Sequence, residues 1–246
     1  MFSSKWIICP HENPNARIRL FCFPYAGSGI SVYHSWYEKL SAEIELCMVK
    51  LPGRETRFNE APYRRLPELI KKLSPAISIF FDKPFMFFGH SLGAHICFYL
   101  TRYLKENSQP HPEHIFISAA RAPHLPELPH SLNYEMDEEA FIDKLKEFGG
   151  MVDEVLQNRE LLDLVLPVLR ADIEMLNTMK YTKGTPLECS ITSIYGELDE
   201  RANREDSEAW KKHTSKAFNL EKTEGKHLFI NTHQDQVIDI INRVAA

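Results

Sequence analysis

The stretch Gly-His-Ser-Leu-Gly at residues 89–93 places a serine between two glycines. An apolar run, residues 84–88, precedes it, and an amphipathic helical pattern follows it. A serine on a tight strand-to-helix turn is a nucleophile elbow, in which the glycines allow neighbouring backbone to come close. An exposed serine in an ordinary turn is the alternative. The context favours Ser91 as a nucleophile for acyl transfer.

A serine hydroxyl attacks well only when a base removes its proton, so an acid and then a histidine should follow in the chain. Asp199 comes directly after a strand-like run, and His227 lies in the loop after the next one. We therefore predict Asp199 as the orienting acid and His227 as the base. The rival candidates are neighbouring acids and histidines in or beside helical patterns: Glu197, Glu200, His213 and His233.

Two backbone N–H groups are expected to bind the oxyanion that forms when the serine attacks a carbonyl. One belongs to Leu92, the residue after the nucleophile, and the other to the loop after an early strand, where Ala26 is the predicted donor. A competing interpretation treats Gly27 and Gly29 as part of a dinucleotide-binding loop. Val32 stands where the third glycine of that fingerprint would be, which weakens this alternative.

Strand-like and helical segments alternate along the chain. Strand-like runs lie at residues 18–24, 44–52, 84–89, 114–120, 189–196 and 217–225. Most of them are short and nearly continuously apolar, which is typical of parallel strands buried on both faces. Helical patterns lie at residues 33–43, 66–81, 91–107, 205–214 and 234–245. The alternation predicts one α/β domain, residues 1–246, with a mostly parallel central sheet flanked by helices.

Residues 122–186 break this alternation, because they contain helical patterns and no convincing strand. We predict a helical lid insertion there, with a helix ending at Gly149 and Gly150, although extra packing is the alternative. Four apolar residues are expected either to line an acyl pocket or to form the core of the lid: Leu164, Val165, Leu169 and Met175.

Composition limits the classes of function. The 246 residues carry a net charge of −5, which argues against a nucleic-acid-binding protein. The N-terminal apolar stretch is too short for a signal peptide and no run is long enough to cross a membrane, so we expect a cytoplasmic protein. The five cysteines form no CxxC pair, and we expect them to be reduced, with no disulfide and no zinc site. The spacing of His111 and His114 resembles a metal pair only weakly.

Seven motifs in order resemble those of the type II, or external, thioesterases that accompany non-ribosomal peptide synthetases and polyketide synthases. They are "FPYAG", "LPGRE", "FGHSLGA", "ISAARAPH", "VLRADIEML", "YGELDE" and "GKHLFI". The resemblance extends from about Ile18 to the last helical pattern. It implies an α/β-hydrolase fold with a mobile helical lid, and hydrolysis of acyl or aminoacyl thioesters on the phosphopantetheine arm of a carrier protein.

By motif position, the family's triad falls on Ser91, Asp199 and His227, and its oxyanion donors on Ala26 and Leu92. No cofactor or metal is implied, and we expect a monomer whose partner is an acyl or peptidyl carrier protein. The chain departs from the family at Ser28, where a second glycine is common, and at Leu92, where methionine is common. We expect the Leu92 side chain to tune the pocket without altering the mechanism.

Two other classes of function remain open. One is a carboxylester hydrolase that acts on free small molecules, and the other is a non-catalytic binding protein on the same scaffold. A cluster of basic residues is either a solvated surface or a docking site for an acidic carrier protein: Arg54, Arg57, Arg64, Arg65, Lys71 and Lys72.

Overall fold

The centre of the protein is an eight-stranded sheet, seen in a computed structural model that describes residues 2–126, 132–147 and 158–245. Its strands are β1 Phe2–Ser3, β2 Ile7–Cys9, β3 Ile18–Phe23, β4 Ile44–Val49, β5 Phe85–His90, β6 His114–Ser118, β7 Ser190–Gly196 and β8 Phe218–Thr223. They lie in the order β1-β2-β4-β3-β5-β6-β7-β8. Strands β3 to β8 pair in parallel, and β1 and β2 join one edge antiparallel. The predicted mostly parallel α/β class is confirmed.

Helices cover both faces of this sheet. The α-helices among the described residues are α1 Leu66–Ser78, α2 Leu92–Glu106, α3 Glu138–Glu147, α4 Arg159–Asn177, α5 Arg204–Glu208, α6 Phe229–Thr232 and α7 Gln234–Ala245. Along β3, Phe21 and Phe23 face the core beneath α1 and α2, while Leu20 and Cys22 face the core beneath α7. Because both faces of the strand are buried, its sequence is apolar at nearly every position.

The strand order brings two loops together at the carboxyl end of the sheet. The chain passes from β3 to β4 on one side and then crosses to β5 on the other side of β3. Such a reversal opens a crevice between the loops that leave the two central strands. Phe23 and Gly89 are register partners at the ends of β3 and β5, so the loop after Phe23 lies beside Ser91.

Two of the predicted helices are shorter and tighter than expected. Residues 33–43 contain only 3-10 turns, at Ile30–Tyr33 and Trp36–Glu38, and residues 205–214 divide into α5 and a 3-10 turn at Ala209–His213. Tyr33 and Trp36 are fully buried, and the Tyr33 hydroxyl donates to the Phe23 carbonyl. Anchoring these large side chains under the sheet overrides the local helical pattern.

The described residues of 122–186 contain two helices, α3 and α4, joined to the rest by non-helical segments, and no strand. A small apolar core joins these helices: Leu132, Phe141, Leu145, Leu162, Leu166, Leu169 and Ile173. The predicted helix end at Gly149 and Gly150 lies outside the described residues. Within the described part of the chain, no helix is both long and apolar enough to cross a bilayer.

The prediction of five reduced cysteines is wrong in one respect, because Cys9 and Cys47 form a disulfide. Strand β2 runs antiparallel to β4, with Ile8 opposite Met48, so the next pair in the register is Cys9 and Cys47. Their Cα atoms are 4.5 Å apart, the spacing of a non-hydrogen-bonded antiparallel pair. The sequence did not reveal this pairing because β2 has only three residues and was not recognised as a strand.

We expect thiol titration of the denatured, unreduced protein to find three thiols, those of Cys22, Cys97 and Cys189. After reduction all five cysteines should react. Opening a bond that spans 38 residues should lower the free energy of unfolding by about 4 kcal/mol. Reductant should therefore lower the Tm of the native protein and leave that of a Cys9→Ala/Cys47→Ala variant unchanged. Five thiols before reduction would contradict the pairing.

Candidate functional site

Ser91 occupies a strained turn between β5 and α2. Its backbone φ is 52° and ψ is −112°, an unusual conformation for a residue other than glycine. A Cβ atom on Gly89 would collide with the backbone of Gly93, and one on Gly93 would collide with the Phe23 carbonyl. The Ser91 N–H donates to the Ser118 carbonyl at 2.8 Å. Both glycines are thus required for the elbow that the sequence predicted.

The structure places His227 between Ser91 and Asp199. The distance from His227 Nε2 to Ser91 Oγ is 3.2 Å, and that from His227 Nδ1 to Asp199 Oδ2 is 2.9 Å. Because Asp199 can only accept, the imidazole carries its proton on Nδ1 and presents Nε2 as an acceptor to the serine hydroxyl. This arrangement can remove a proton from Ser91 and return it to a leaving group.

Asp199 is held by backbone as well as by the imidazole. Its Oδ1 accepts from the N–H groups of Arg201 at 2.9 Å and Ala202 at 3.2 Å, and its side chain is fully buried. Burial alone would raise the pKa of Asp199, but the hydrogen bond and charge of His227, with the two backbone donors, lower it below its usual value. Asp199 therefore remains an anion that can stabilise a protonated His227.

The rival acids and histidines point elsewhere. Glu197 pairs with Lys222 at 3.1 Å, and Glu200 is exposed. His213 Nε2 lies 2.8 Å from Nδ1 of His124, while His233 Nδ1 lies 2.8 Å from the Thr232 hydroxyl.

His90, next to the serine, supports the base through its backbone. Its Nε2 is 2.8 Å from the His227 carbonyl, and its Nδ1 is 2.9 Å from the Ser118 hydroxyl. A carbonyl only accepts, so Nε2 of His90 carries the proton and Nδ1 accepts from Ser118. Burial lowers the pKa of His90 to about 3, so this ring stays neutral. His90 has no predicted role from the sequence, although its position inside the elbow motif is a usable signal.

Ala26 lies on the loop after β3, and Leu92 is the first residue of α2 after the Ser91 turn. The Leu92 N–H is in the first turn of α2, where backbone donors lack helical acceptors. The Leu92 side chain, however, is fully buried in the core under α1 and α2. The expectation that this side chain tunes the pocket stays a prediction.

The glycine-rich loop after β3 is not organised to bind a phosphate. Glu55 Oε2 accepts from the Ile30 N–H at 2.9 Å, and Oε1 accepts from the Ser31 N–H at 3.0 Å. These backbone donors are the ones that a phosphate at this turn would need. A carboxylate already occupies them, so the dinucleotide alternative is disfavoured.

The four predicted lid residues have different positions. Leu164 is 49% exposed, and Val165 is partly exposed. Met175 packs in the main core beneath α1 and α2. Leu169 is buried in the small apolar core that joins α3 and α4, and it contacts the loop after β3, since a Cβ on Gly27 would lie 3.0 Å from Leu169 Cδ1. Of the four, only Leu169 is placed by these contacts against the predicted oxyanion loop.

Most of the basic cluster is already paired with acids of this chain. Arg54 binds Asp172 at 2.8 Å, Arg57 binds Glu60 at 2.8 Å, and Arg64 and Arg65 both bind Glu174. Lys71 and Lys72 are exposed on α1. The four arginines therefore form ion pairs within the protein. The two interpretations of the sequence, a solvated surface and a docking site, did not include such pairs.

The weak metal interpretation of His111 and His114 finds no support in the structure. His114 lies in β6 with Nε2 at 2.8 Å from the Thr192 hydroxyl, and burial lowers its pKa to about 4. Across residues 2–126, 132–147 and 158–245, no three His, Cys, Asp or Glu side chains gather in a way that could hold a metal ion.

The family model of the thioesterase domain matches residues 18–244. This range contains strands β3 to β8 and all three residues of the Ser-His-Asp arrangement. This chain belongs to the thioesterase family. The thioesterase is 37% identical to the linear gramicidin dehydrogenase LgrE of Brevibacillus parabrevis, over 97% of this chain and 91% of that protein. It is 34% identical to the gramicidin S biosynthesis protein GrsT of Aneurinibacillus migulanus, over 97% and 93% of the two chains.

Solved structures agree with this assignment and with the α/β-hydrolase fold. RedJ, a thioesterase of the prodiginine pathway in Streptomyces coelicolor, superposes with a TM-score of 0.88 at 30% identity and covers 94% of this chain and 92% of its own. BorB, the type II thioesterase of the borrelidin biosynthetic cluster, superposes with a TM-score of 0.89 at 28% identity over the whole of both chains. The thioesterase therefore belongs with the type II class.

Proposed function

We propose that the thioesterase edits a peptide or polyketide synthase by hydrolysing acyl and aminoacyl thioesters from the phosphopantetheine arm of its carrier proteins. The observation that carries the chemistry is His227, hydrogen-bonded to both Ser91 and Asp199. The biosynthetic roles in the names of GrsT and RedJ support a synthase as the partner. We further propose a cytoplasmic monomer that needs neither cofactor nor metal.

The reaction has two halves. His227 takes the Ser91 proton as Oγ attacks the thioester carbonyl, and the N–H groups of Ala26 and Leu92 stabilise the oxyanion. The C–S bond then breaks, and the phosphopantetheine sulfur leaves with the proton that His227 holds. Water, activated by the same histidine, attacks the acyl-enzyme and releases the acid and Ser91. Asp199 stabilises the imidazolium in both halves.

The name of LgrE raises the alternative of a dehydrogenase. In the turn at Gly27 and Gly29, which the sequence suggested for a dinucleotide, Glu55 accepts from the N–H groups of Ile30 and Ser31. The Ser-His-Asp arrangement, in contrast, is complete. These contacts favour hydrolysis.

The test compares acyl release from acetyl- and aminoacyl-phosphopantetheinyl carrier proteins with release of the same acyl groups from N-acetylcysteamine. We expect a higher kcat/KM for the carrier-bound substrates, and loss of both activities in Ser91→Ala. Equal or faster hydrolysis of free thioesters and simple esters would instead favour a general carboxylester hydrolase. Serine-dependent hydrolysis of neither substrate class would contradict the proposed function.

A further inference from the structure

Asp172, on the lid helix α4, is joined to the predicted oxyanion loop. Its Oδ2 accepts from the Gly27 N–H at 2.8 Å, and its side chain is 2% exposed. Gly27 directly follows Ala26, the proposed donor to the oxyanion. The carboxylate therefore fixes the peptide next to the one whose N–H must point at the substrate.

Arg54 completes this contact from the loop after β4. Its Nη1 and Nη2 bind the two Asp172 oxygens at 2.8 and 2.9 Å, and Nη1 also donates to the Ser28 carbonyl at 3.0 Å. The same ion pair thus holds a donor at Gly27 and an acceptor at Ser28. We call this group of four residues, Gly27, Ser28, Arg54 and Asp172, the loop clamp.

The charges of the loop clamp suit a site where negative charge develops. An unpaired carboxylate one residue from Ala26 would repel an oxyanion, and the bidentate guanidinium compensates it. The Gly27 N–H is occupied by Asp172 and is not offered to the substrate. Gly27 also has a φ of 76°, a conformation that glycine adopts readily and other residues rarely do.

We infer that Asp172 and Arg54 are positioning residues, which make the geometry of the oxyanion hole depend on the lid helix. Leu169 and Asp172, in the second half of α4, contact Gly27 in the loop after β3. Leu161 and Leu164, near the start of α4, are exposed. The later part of α4 is thus a fixed support of the site, and any lid movement must spare it or disturb the oxyanion hole. This inference rests on the proposed serine mechanism.

A positioning role differs from a purely structural one in what it does to the transition state. Replacing a buried ion pair with apolar residues often preserves stability. A folded Arg54→Leu/Asp172→Leu variant would still lack the acceptor for Gly27 and the donor for Ser28. If the ion pair is only structural, this variant should keep both native stability and native kcat. If the ion pair positions the oxyanion loop, the variant should keep its stability but have a low kcat.

The experiment measures hydrolysis of a small acyl thioester of N-acetylcysteamine, so that no carrier protein is involved. For Arg54→Leu/Asp172→Leu we expect kcat to fall by about 10- to 100-fold, less than or similar to the loss of one oxyanion donor, with little change in KM. Inhibition by a trifluoromethyl ketone, which forms a tetrahedral oxyanion on serine, should weaken by a similar factor. Binding of a non-hydrolysable amide analogue should be unchanged.

Glu174→Gln is the matched control, because Glu174 lies on the same helix and pairs with Arg64 and Arg65 without contacting the oxyanion loop. It should keep kcat within about twofold.

Asp172→Asn is a second variant of nearly native shape, for use if the double variant does not fold, and should lower kcat and ketone affinity in parallel. Native kcat in the folded clamp variants, or equal loss of ketone and amide binding, would overturn the inference. If Ser91→Ala keeps native activity in this assay, the serine mechanism fails first.

Discussion

Replacing Ser91 with alanine should lower kcat for thioester hydrolysis by about 10⁴- to 10⁶-fold, the range found when a nucleophile of this kind is removed. The variant lacks the hydroxyl oxygen that lies 3.2 Å from His227 Nε2, where the imidazole can activate it. Residual turnover would come from water attack assisted by the oxyanion donors. Steady-state kinetics on a small thioester, with the Tm of each protein, measures this effect.

The fold of this variant should be unaffected, because alanine and serine have the same Cβ and meet the same strain at a φ of 52°. Ser193→Ala is the matched control, since Ser193 has a buried hydroxyl on a neighbouring part of the sheet, in β7. That variant should be labelled by a fluorophosphonate as the native protein is, whereas Ser91→Ala should not. Labelling of Ser91→Ala, or retention of its activity, would point to a different nucleophile.

The sequence predicted the parts of the molecule whose signals are local. Each of β3 to β7 was recognisable as a buried apolar run, and Ser91 was recognisable from two glycines that the backbone contacts require. Asp199 and His227 followed from chain order, because the loops after parallel strands end at one edge of the sheet. These predictions needed no knowledge of contacts distant in sequence.

The features that the sequence did not predict depend on such distant contacts. Cys9 and Cys47 meet only because β2 adds antiparallel to β4. Arg54 pairs with Asp172, which is 118 residues away in the chain. From the sequence alone the positive charge of Arg54 suggested a docking surface, whereas in the structure it forms an ion pair within the protein. The complete burial of the Leu92 side chain likewise depends on how α2 packs on the sheet. Register and packing of this kind carry no periodic signal in a single sequence.

Asp199→Asn should lower kcat by about 10⁴-fold, because the amide would impose the wrong tautomer on His227. Oδ1 of Asp199 faces two backbone donors, the N–H groups of Arg201 and Ala202. An asparagine must keep its oxygen there, since its NH₂ group would clash with these N–H groups. The NH₂ would then donate to His227 Nδ1, so that the imidazole carries its proton on Nε2 and can no longer accept one from Ser91.

The kcat values of the Asp199 variants should follow an order that loss of the carboxylate charge alone would not produce. Asp199→Ala removes the carboxylate but leaves His227 free to adopt either tautomer, so it should be at least as active as Asp199→Asn despite the greater loss of side-chain atoms. Glu200→Gln, a change of charge at the exposed neighbouring residue, should leave kcat within about twofold. Steady-state kinetics on the three variants gives the order. An Asp199→Asn variant clearly more active than Asp199→Ala would mean that the backbone donors do not fix the amide, and that Asp199 acts mainly through its charge.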